Sequence, residues 1–150
     1  MKTLRQPRKT LRTDASALLG HCAGWNSRLA ARRITQFLDR AIGMSVAQLG
    51  LMAQIAVLSD DTLSALAQRS GLDQSTLSRN LRTLEHEGLI EIAVVEADLR
   101  RRTVWLTETG ARRLEAAIPL WRKAQARLAK YVPSELARRL ADATEAMPHD

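Results

Sequence analysis

Side chains able to form directed polar contacts are concentrated in two short stretches of this 150-residue chain. The first stretch contains Gln74, Ser75, Thr76, Ser78, Arg79 and Arg82. The second contains Asp98, Arg100, Arg101 and Arg102. Guanidinium groups bind phosphates and guanine edges, glutamine pairs with adenine, and hydroxyls bind a base or a phosphate. Together these residue types have the chemistry that binding a nucleic acid requires.

A helix is predicted from residue 74 to about residue 87, and it carries the whole first stretch. Asp73 can cap its N-terminus through a carboxylate oxygen. Leu77, Leu81 and Leu84 recur at i, i+4 and i+7, so they should face the core. The polar residues must then point outward, with short groups near the N-terminus, where a helix in the major groove approaches base edges. The positive end of the helix dipole would favour a phosphate there. A solvated polar face is the alternative.

The second stretch lies in a predicted β-hairpin. Residues 90–94 and 103–106 have the pattern of strands, so residues 96–102 should form the connecting loop. The three consecutive arginines would then lie at the hairpin tip and suit a minor groove or phosphates. Asp98 could orient Arg100 through a charge-assisted hydrogen bond. An idle solvated loop is the alternative.

Two further helices are predicted immediately before the helix that carries the first stretch. Ser45 begins a capping box for a helix from Val46 to about Val57, which should bury its apolar positions. Those positions are Leu49, Met52, Ala53 and Ala56. Thr62 opens a helix over residues 63–69, and Gly71 ends it by adopting a positive φ. The order helix, glycine turn, helix and hairpin is the layout of a winged helix-turn-helix, which binds duplex DNA.

Composition is consistent with a DNA-binding protein. Lys and Arg number 23 against 16 acidic residues, giving a net charge of +7, and 45% of the chain is apolar. Cys22 is the single cysteine, which excludes an intrachain disulfide and fits a reducing cytosol. The basic start is not followed by an apolar run, and no apolar stretch is long enough to span a bilayer. We therefore expect a cytoplasmic protein with no membrane partner.

The ends of the chain are predicted to dimerise. Residues 1–13 carry five basic residues and no acid, which predicts a disordered basic arm. Helical patterns follow over residues 14–41 and from Thr107 to Tyr131, and Ser134 should cap a last helix. These long amphipathic helices cannot bury their apolar faces on so small a winged helix, so a second copy should cover them.

We therefore expect one domain over residues 14–150. Its dimerisation helices would span residues 14–42 and 108–147, and the winged helix-turn-helix residues 45–107. The predicted class is mainly α with a small β-hairpin wing.

Four short strings carry a resemblance to the multiple-antibiotic-resistance-regulator (MarR) family. They are residues 75–81 (Ser-Thr-Leu-Ser-Arg-Asn-Leu), 84–90 (Leu-Glu-His-Glu-Gly-Leu-Ile), 98–100 (Asp-Leu-Arg) and 106–110 (Leu-Thr-Glu-Thr-Gly). The similarity runs from about Cys22 to Val132 with order and spacing preserved. It implies a homodimeric winged-helix transcription regulator, often a repressor, that binds a near-palindromic operator in double-stranded DNA.

The resemblance also implies a sensor. Many members release DNA when a small aromatic acid or an oxidant binds. The ligand crevice usually lies between the dimer helices and the winged helix. The residues that would line it here are Trp25, Arg28, Arg32, Trp105 and Trp121. Some relatives sense oxidants through an N-terminal cysteine, which makes Cys22 a redox candidate, with a plain core cysteine as the alternative.

Two other classes of function compete with DNA binding. Catalysis would need a set of acid, base or nucleophile residues, and we find no phosphate-binding glycine loop, HExxH or CxxC pattern. We therefore predict no enzyme, no metal and no cofactor. A winged-helix protein-interaction module without DNA binding is the second rival, in which the arginines would meet acidic side chains.

Overall fold

The computed structural model describes residues 8–57 and 62–148, with only the backbone described at Val95 and residues 98–100. These parts of the chain hold seven helices and one two-stranded sheet. The elements are α1 (Lys9–His21), α2 (Ala23–Ile42), α3 (Val46–Val57), α4 (Leu63–Ser70), α5 (Gln74–His86), β1 (Ile90–Val95), β2 (Asp98–Leu106), α6 (Glu108–Leu128) and α7 (Ser134–Glu145). The predicted class, mainly α with a small hairpin, is confirmed.

The chain divides into two compact units, Met1–Gln36 and Phe37–Asp150, which are described separately. The limits predicted for the single domain and for its dimerisation helices stay predictions. Among the described residues, no single helix has both the length and the apolar character needed to cross a bilayer. One bent pair of helices, α2 with α3, passes by length and composition alone.

In the first unit the predicted helix over residues 14–41 is broken at Cys22. The backbone of Cys22 is extended, with ψ at 109°, so α1 ends and α2 begins there. The bonds lost at the break are replaced locally, because the Asn26 side chain donates to the Gly20 carbonyl at 3.2 Å and the Trp25 N–H donates to the Cys22 Sγ at 3.5 Å. Glycine disfavours helix, and Gly20 and Gly24 flank the break on either side.

The start of α1 also differs from the prediction of a disordered arm over residues 1–13. Residues 1–7 lie outside the described part of the chain. Lys9 to Thr13 are helical, and the Thr13 hydroxyl donates to the Lys9 carbonyl at 3.2 Å. The basic charge that suggested disorder does not prevent helix formation, since Lys, Arg and Leu are all good helix formers.

In the second unit a core forms around α3, α4, α5 and the hairpin. Its largest fully buried side chains are Leu51, Met52, Leu66, Leu84, Ile90 and Val104. Each such aliphatic side chain contributes about 1.5–3 kcal/mol on removal from water. The face predicted for α3 is only partly right. Met52 is buried as predicted, but Ala53 and Ala56 are exposed, and the other two buried residues of this helix are Leu51 and Ile55.

The caps around the helix-turn-helix agree with the prediction. The Thr62 hydroxyl accepts from the Ala65 N–H at 3.2 Å and begins α4. Gly71 ends α4 with φ at 65°, a value that costs glycine little. Asp73 then caps α5 by accepting from the Thr76 N–H at 2.8 Å. Since these three residues fix the turn, α5 is held by local bonds as well as by its leucines.

The N-terminus of α6 is hydrogen-bonded to the turn before β1. The Thr107 hydroxyl donates to the Gly88 carbonyl at 2.6 Å and accepts from the Gly110 N–H at 3.0 Å. Gly110 is buried so closely that a Cβ there would overlap the Leu89 carbonyl oxygen and lie 2.8 Å from the Leu89 carbonyl carbon. Helix α6 then continues through Pro119 to Leu128.

Helix α7 buries none of its residues. Its cap is Pro133, with no side-chain bond, so the prediction that Ser134 caps this helix is wrong. The apolar side chains of Leu136, Leu140 and Met147 are exposed by 61%, 53% and 58%.

Candidate nucleic-acid interface

Helix α5 presents its polar residues away from the core, as the sequence predicts. Leu77, Leu81 and Leu84 are buried on one side. The exposed side carries Gln74, Ser75, Ser78, Arg79 and Arg82, with Thr76 half-buried. Helix α5 is therefore amphipathic, with a polar face that is free to enter a DNA groove. The DNA contacts of these six residues stay predictions.

The N-terminus of α5 is organised by Asp73. Besides the Thr76 N–H, this carboxylate accepts from the Ser75 hydroxyl at 2.8 Å and from the Thr76 hydroxyl at 3.0 Å. The Thr76 N–H, followed by the two hydroxyls, lowers the pKa of Asp73 below its ordinary value of 3.8. The positive end of the helix dipole therefore faces a carboxylate of the chain itself.

The hairpin differs from the predicted one in where its turn lies. Glu96 and Ala97 form the turn, and β2 already begins at Asp98, so Arg100, Arg101 and Arg102 belong to a strand and not to the tip loop. A bulge between Val94 and Val95 shifts the register from Val94 opposite Arg102 to Val95 opposite Asp98. The bulge sets residues 99–101 outside the regular ladder.

The arginines are still brought close to the helix-turn-helix. Arg102 lines a cleft of about 510 Å³ together with Gln74, Ser78 and Arg82 of α5. A smaller cleft of about 210 Å³ is lined by Arg101, Arg102 and the first residues of α4. The side chains of Asp98 and Arg100 lie outside the described residues, so their predicted bond stays a prediction.

One residue on these clefts is missed by the sequence reasoning. Ser64 lies in the first turn of α4, is exposed, and lines both clefts. Its position two residues after the Thr62 cap is the signal that could have identified it, since the first turn of a helix offers donors to an anion. Glu85 also lines the larger cleft, which places one acid beside Arg82 and Arg102.

A second, apolar pocket lies away from these polar clefts. It has a volume of about 480 Å³ and is formed by α3, the end of α2 and α6. Its lining residues are Leu38, Val46, Leu49, Gly50, Ala53, Ala56, Val57, Leu114, Ile118 and Trp121. The α3 residues wrongly assigned to the core, Leu49, Ala53 and Ala56, therefore line this pocket.

The residues predicted to line a ligand crevice are only partly placed on this pocket. Trp121 lines it, whereas Trp105 lies on β2 opposite Glu91 and is 40% exposed. Trp25, Arg28 and Arg32 belong to α2 in the first unit, where all three are exposed. Their role in ligand binding stays a prediction.

Cys22 is a half-buried free thiol at the junction of α1 and α2. Its sulfur accepts the Trp25 N–H and so helps to begin α2. This contact is a structural use of the sulfur, and the redox role of Cys22 stays a prediction.

Comparison with known proteins places the chain among transcription regulators. Residues 42–101 match the model of the MarR family. The M. tuberculosis transcriptional regulator MosR, solved in complex with DNA, is 34% identical with a TM-score of 0.75, over 84% of this chain and 96% of that one. An uncharacterised HTH-type transcriptional regulator of Bacillus cereus is 36% identical over 84 residues, which are 56% of this chain and 54% of that protein.

A third relative is an enzyme subunit. The phenylalanine–tRNA ligase alpha subunit of Pyrococcus horikoshii is 35% identical over 69 residues, which are 46% of this chain but 13% of the subunit. The chain thus spans about half or less of the curated relatives' length. The relatives that match this chain over a larger share of their own length are transcription regulators, and the fold is also that of regulators and not of enzymes.

Proposed function

Because this chain belongs to the MarR family of transcriptional regulators, we propose that it is a homodimeric repressor that leaves its operator when a small aromatic molecule binds. It is a DNA-binding transcriptional regulator. The repression, the dimer and the effector are our proposal, as is the cytoplasm as its place of action. DNA binding by the family also favours this function over a protein-interaction module without DNA binding.

The observation that carries the proposal is the cleft where α5 meets β2. It gathers Gln74 and Ser78, which suit base edges, with Arg82 and Arg102, which suit guanine or phosphate. A helix in the major groove with an adjacent cationic strand would bind base edges and backbone together. A symmetric dimer would then bind two half-sites about 10 bp apart.

The terminal helices support a dimer. Neither α1 nor α7 buries a residue, although both carry large apolar side chains. Those exposed by at least half are Leu11, Leu18 and Leu19 on α1 and Leu136 and Leu140 on α7. Exposed apolar side chains on successive helical turns are typical of surfaces that pack against another chain. Two copies with twofold symmetry are the commonest way to cover such surfaces.

The apolar pocket supports a small-molecule effector. At about 480 Å³ it has the size of a ligand site, and Trp121 offers an aromatic surface. All ten of its lining residues are uncharged, so the pocket suits the apolar body of an aromatic molecule better than its charged group. Helix α3 lines this pocket on one side and packs on α4 and α5, so a ligand there could alter how the helix-turn-helix is held.

A DNA-binding measurement across salt tests the proposal. Genomic fragments retained by the protein would be titrated by fluorescence anisotropy, and the affinity should fall steeply as salt rises, because bound phosphates release counterions. Arg79→Ala should relax preference at particular base pairs, whereas Arg102→Ala should weaken binding to all duplexes and flatten the salt dependence. Folded protein that binds none of its genomic fragments at low salt would refute the proposed function.

A reporter assay and a ligand screen test the finer parts. The protein should lower expression from a promoter containing the retained fragment, and an aromatic compound that stabilises it thermally should release the DNA. Trp121→Ala should weaken the response to that compound more than it weakens DNA binding. Increased expression in the presence of the protein would contradict repression.

A further inference from the structure

The bonds at the start of α5 fix the direction in which two hydroxyls can act. The Asp73 carboxylate accepts a hydrogen bond from the Ser75 hydroxyl at 2.8 Å and another from the Thr76 hydroxyl at 3.0 Å. A carboxylate has no proton to give, so both hydroxyls must be the donors. Each hydroxyl has a single proton, and the bond to Asp73 uses it.

What remains on each hydroxyl is its oxygen lone pairs, which can only accept a hydrogen bond. Phosphate oxygens also only accept, so these hydroxyls are mismatched to the DNA backbone. The exocyclic amino groups of cytosine and adenine are donors exposed in the major groove, and they match. Ser75 is exposed whereas Thr76 is half-buried, so the Ser75 oxygen is the one that a base can reach.

Asp73 also changes the electrostatics of this helix end. A helix N-terminus usually favours phosphate through its free N–H groups and its dipole. Here the Thr76 N–H is already bonded to the carboxylate, whose negative charge repels a phosphate at the same place. This contrasts with the expectation from the sequence alone that the end of the helix turns toward a phosphate.

We propose that Asp73 is a specificity-determining residue that holds the Ser75 hydroxyl as an acceptor for the amino group of cytosine or adenine, and that keeps phosphate away from the start of α5. The proposal rests on the DNA-binding function proposed above and deepens it. Phosphate contacts then fall to the guanidinium groups of Arg82 on α5 and of the arginines on β2, while the start of the helix selects bases.

Base analogues test the contact of Ser75. The probe is the duplex that the unsubstituted protein selects from a random pool, with each adenine replaced in turn by purine and each cytosine by 2-pyrimidinone. Loss of one amino group should weaken binding about fivefold, the usual worth of one hydrogen bond. At the base whose amino group matters to the unsubstituted protein, the Ser75→Ala protein should bind the analogue and the parent duplex equally. The Ser78→Ala protein should still bind that analogue more weakly than the parent duplex. The result identifies whether the base is cytosine or adenine.

Equal loss of affinity by Ser75→Ala on every duplex, with its sensitivity to the analogue intact, would overturn the proposal, because that is the signature of a phosphate contact. Failure of the unsubstituted, folded protein to select any duplex would instead refute the proposed function, and this proposal with it.

The variant Asp73→Asn tests the charge. Its amide oxygen can still cap Thr76, so the helix should form, which circular dichroism checks. Without the carboxylate, binding to random duplex should tighten several-fold and depend more steeply on salt, while preference for the selected duplex falls. A merely structural cap predicts a different result, a uniform weakening on selected and random duplex alike, and that result would overturn the proposal.

Discussion

The winged-helix segment, residues 45–107, and the terminal helices α1 and α7 use their apolar residues in opposite ways. In the described part of the winged-helix segment, Leu66, Leu84 and Val104 are almost completely buried within one chain. In α1 and α7 no residue is buried, and leucines such as Leu18 and Leu136 are about 60% exposed. Both regions are amphipathic by sequence, but only the first buries its apolar face within the chain.

The difference shows which parts of the chain can be stable alone. Closing a core removes apolar area from water at about 25 cal/mol per Å², and this offsets the entropy lost on folding. A helix that buries nothing lacks that gain and needs another surface to remain ordered. We therefore expect substitutions in the winged-helix segment to act on folding and substitutions on the terminal helices to act on assembly.

The largest effect on folding should come from Gly110→Ala. The added methyl would overlap the backbone carbonyl of Leu89, which cannot move without disturbing β1. Overpacking against backbone should lower the free energy of unfolding by about 3 kcal/mol or more. Urea denaturation at one fixed protein concentration measures this, because the stability of a dimer depends on concentration.

Gly50→Ala is the matched control. A Cβ at Gly50 meets nothing within 4 Å, and Gly50 lies within α3, where alanine is favoured over glycine by about 0.5–1 kcal/mol. This variant should be as stable as the unsubstituted protein or slightly more stable. Equal stability of Gly110→Ala would show that α6 does not pack on Leu89 as described.

The largest effect on assembly should come from the double substitution Leu136→Glu with Leu140→Glu. Two carboxylates on the exposed apolar face of α7 should prevent another chain from covering it. Light scattering should then report a monomer, and affinity for a two-half-site duplex should fall about a hundredfold or more, because the second contact is no longer intramolecular.

Arg138→Glu is the control, because it changes the net charge as much as the two glutamates do but lies on the opposite side of α7. Arg138 pairs with Glu135 in an exposed ion pair, so its loss should cost little. Arg138→Glu should leave the proposed dimer intact. A double-glutamate protein that remained dimeric would place the dimer contact elsewhere and break the contrast between the two regions.

The sequence alone predicts the helix-turn-helix well because its signals are local. Asp73, Gly71 and the leucine spacing of α5 each act within a few residues, and each is found as predicted. The wrong face of α3 has a different cause. Helix α3 is apolar on several sides, so periodicity could not show that Leu51 and Ile55 face the core while Leu49 faces a pocket.

At the candidate interface, too, the sequence pattern predicts some features and not others. The identity of the outward residues of α5 follows from the leucine period, but the turn at Glu96 does not follow from composition, because a run of arginines is compatible with a strand or a loop. The break at Cys22 is also hidden, since it depends on the Asn26 side chain reaching back to Gly20. A hydrogen bond between a side chain and a carbonyl six residues earlier leaves no trace in the periodic pattern of apolar residues.

A smaller effect is expected from Thr107→Val, at the joint between the hairpin and α6. Valine keeps the shape but loses the bonds to the Gly88 carbonyl and the Gly110 N–H. Loss of this cap should lower the free energy of unfolding by about 1–2 kcal/mol in the same urea measurement. Thr109→Val, an exposed position two residues along, should change it by less than about 0.5 kcal/mol. If both variants lost the same stability, the cause would be helix propensity and not the cap.

The smallest effect is the pH dependence contributed by Asp73. Its pKa is lowered from 3.8 mainly by the Thr76 N–H and then by the Ser75 and Thr76 hydroxyls. A carboxylate whose pKa is lower in the folded than in the unfolded state stabilises the fold above the unfolded value, and this stabilisation is lost as pH falls through the folded value. The unsubstituted protein should therefore exceed Asp73→Asn in stability at neutral pH, and the gap should narrow as pH falls below about 4.

Urea denaturation from pH 7 down to pH 3 measures that gap, and Asp73→Ser serves as a second neutral cap. Both caps accept the Thr76 N–H but cannot titrate, so both should show the same narrowing relative to the unsubstituted protein. A gap that stays constant to pH 3 would mean that the carboxylate is not held by those three donors. One of these three bonds, from the Ser75 hydroxyl to Asp73, fixes the direction in which that hydroxyl donates. A constant gap would therefore also contradict the proposed base selection at the start of α5, whereas a narrowing gap would support it.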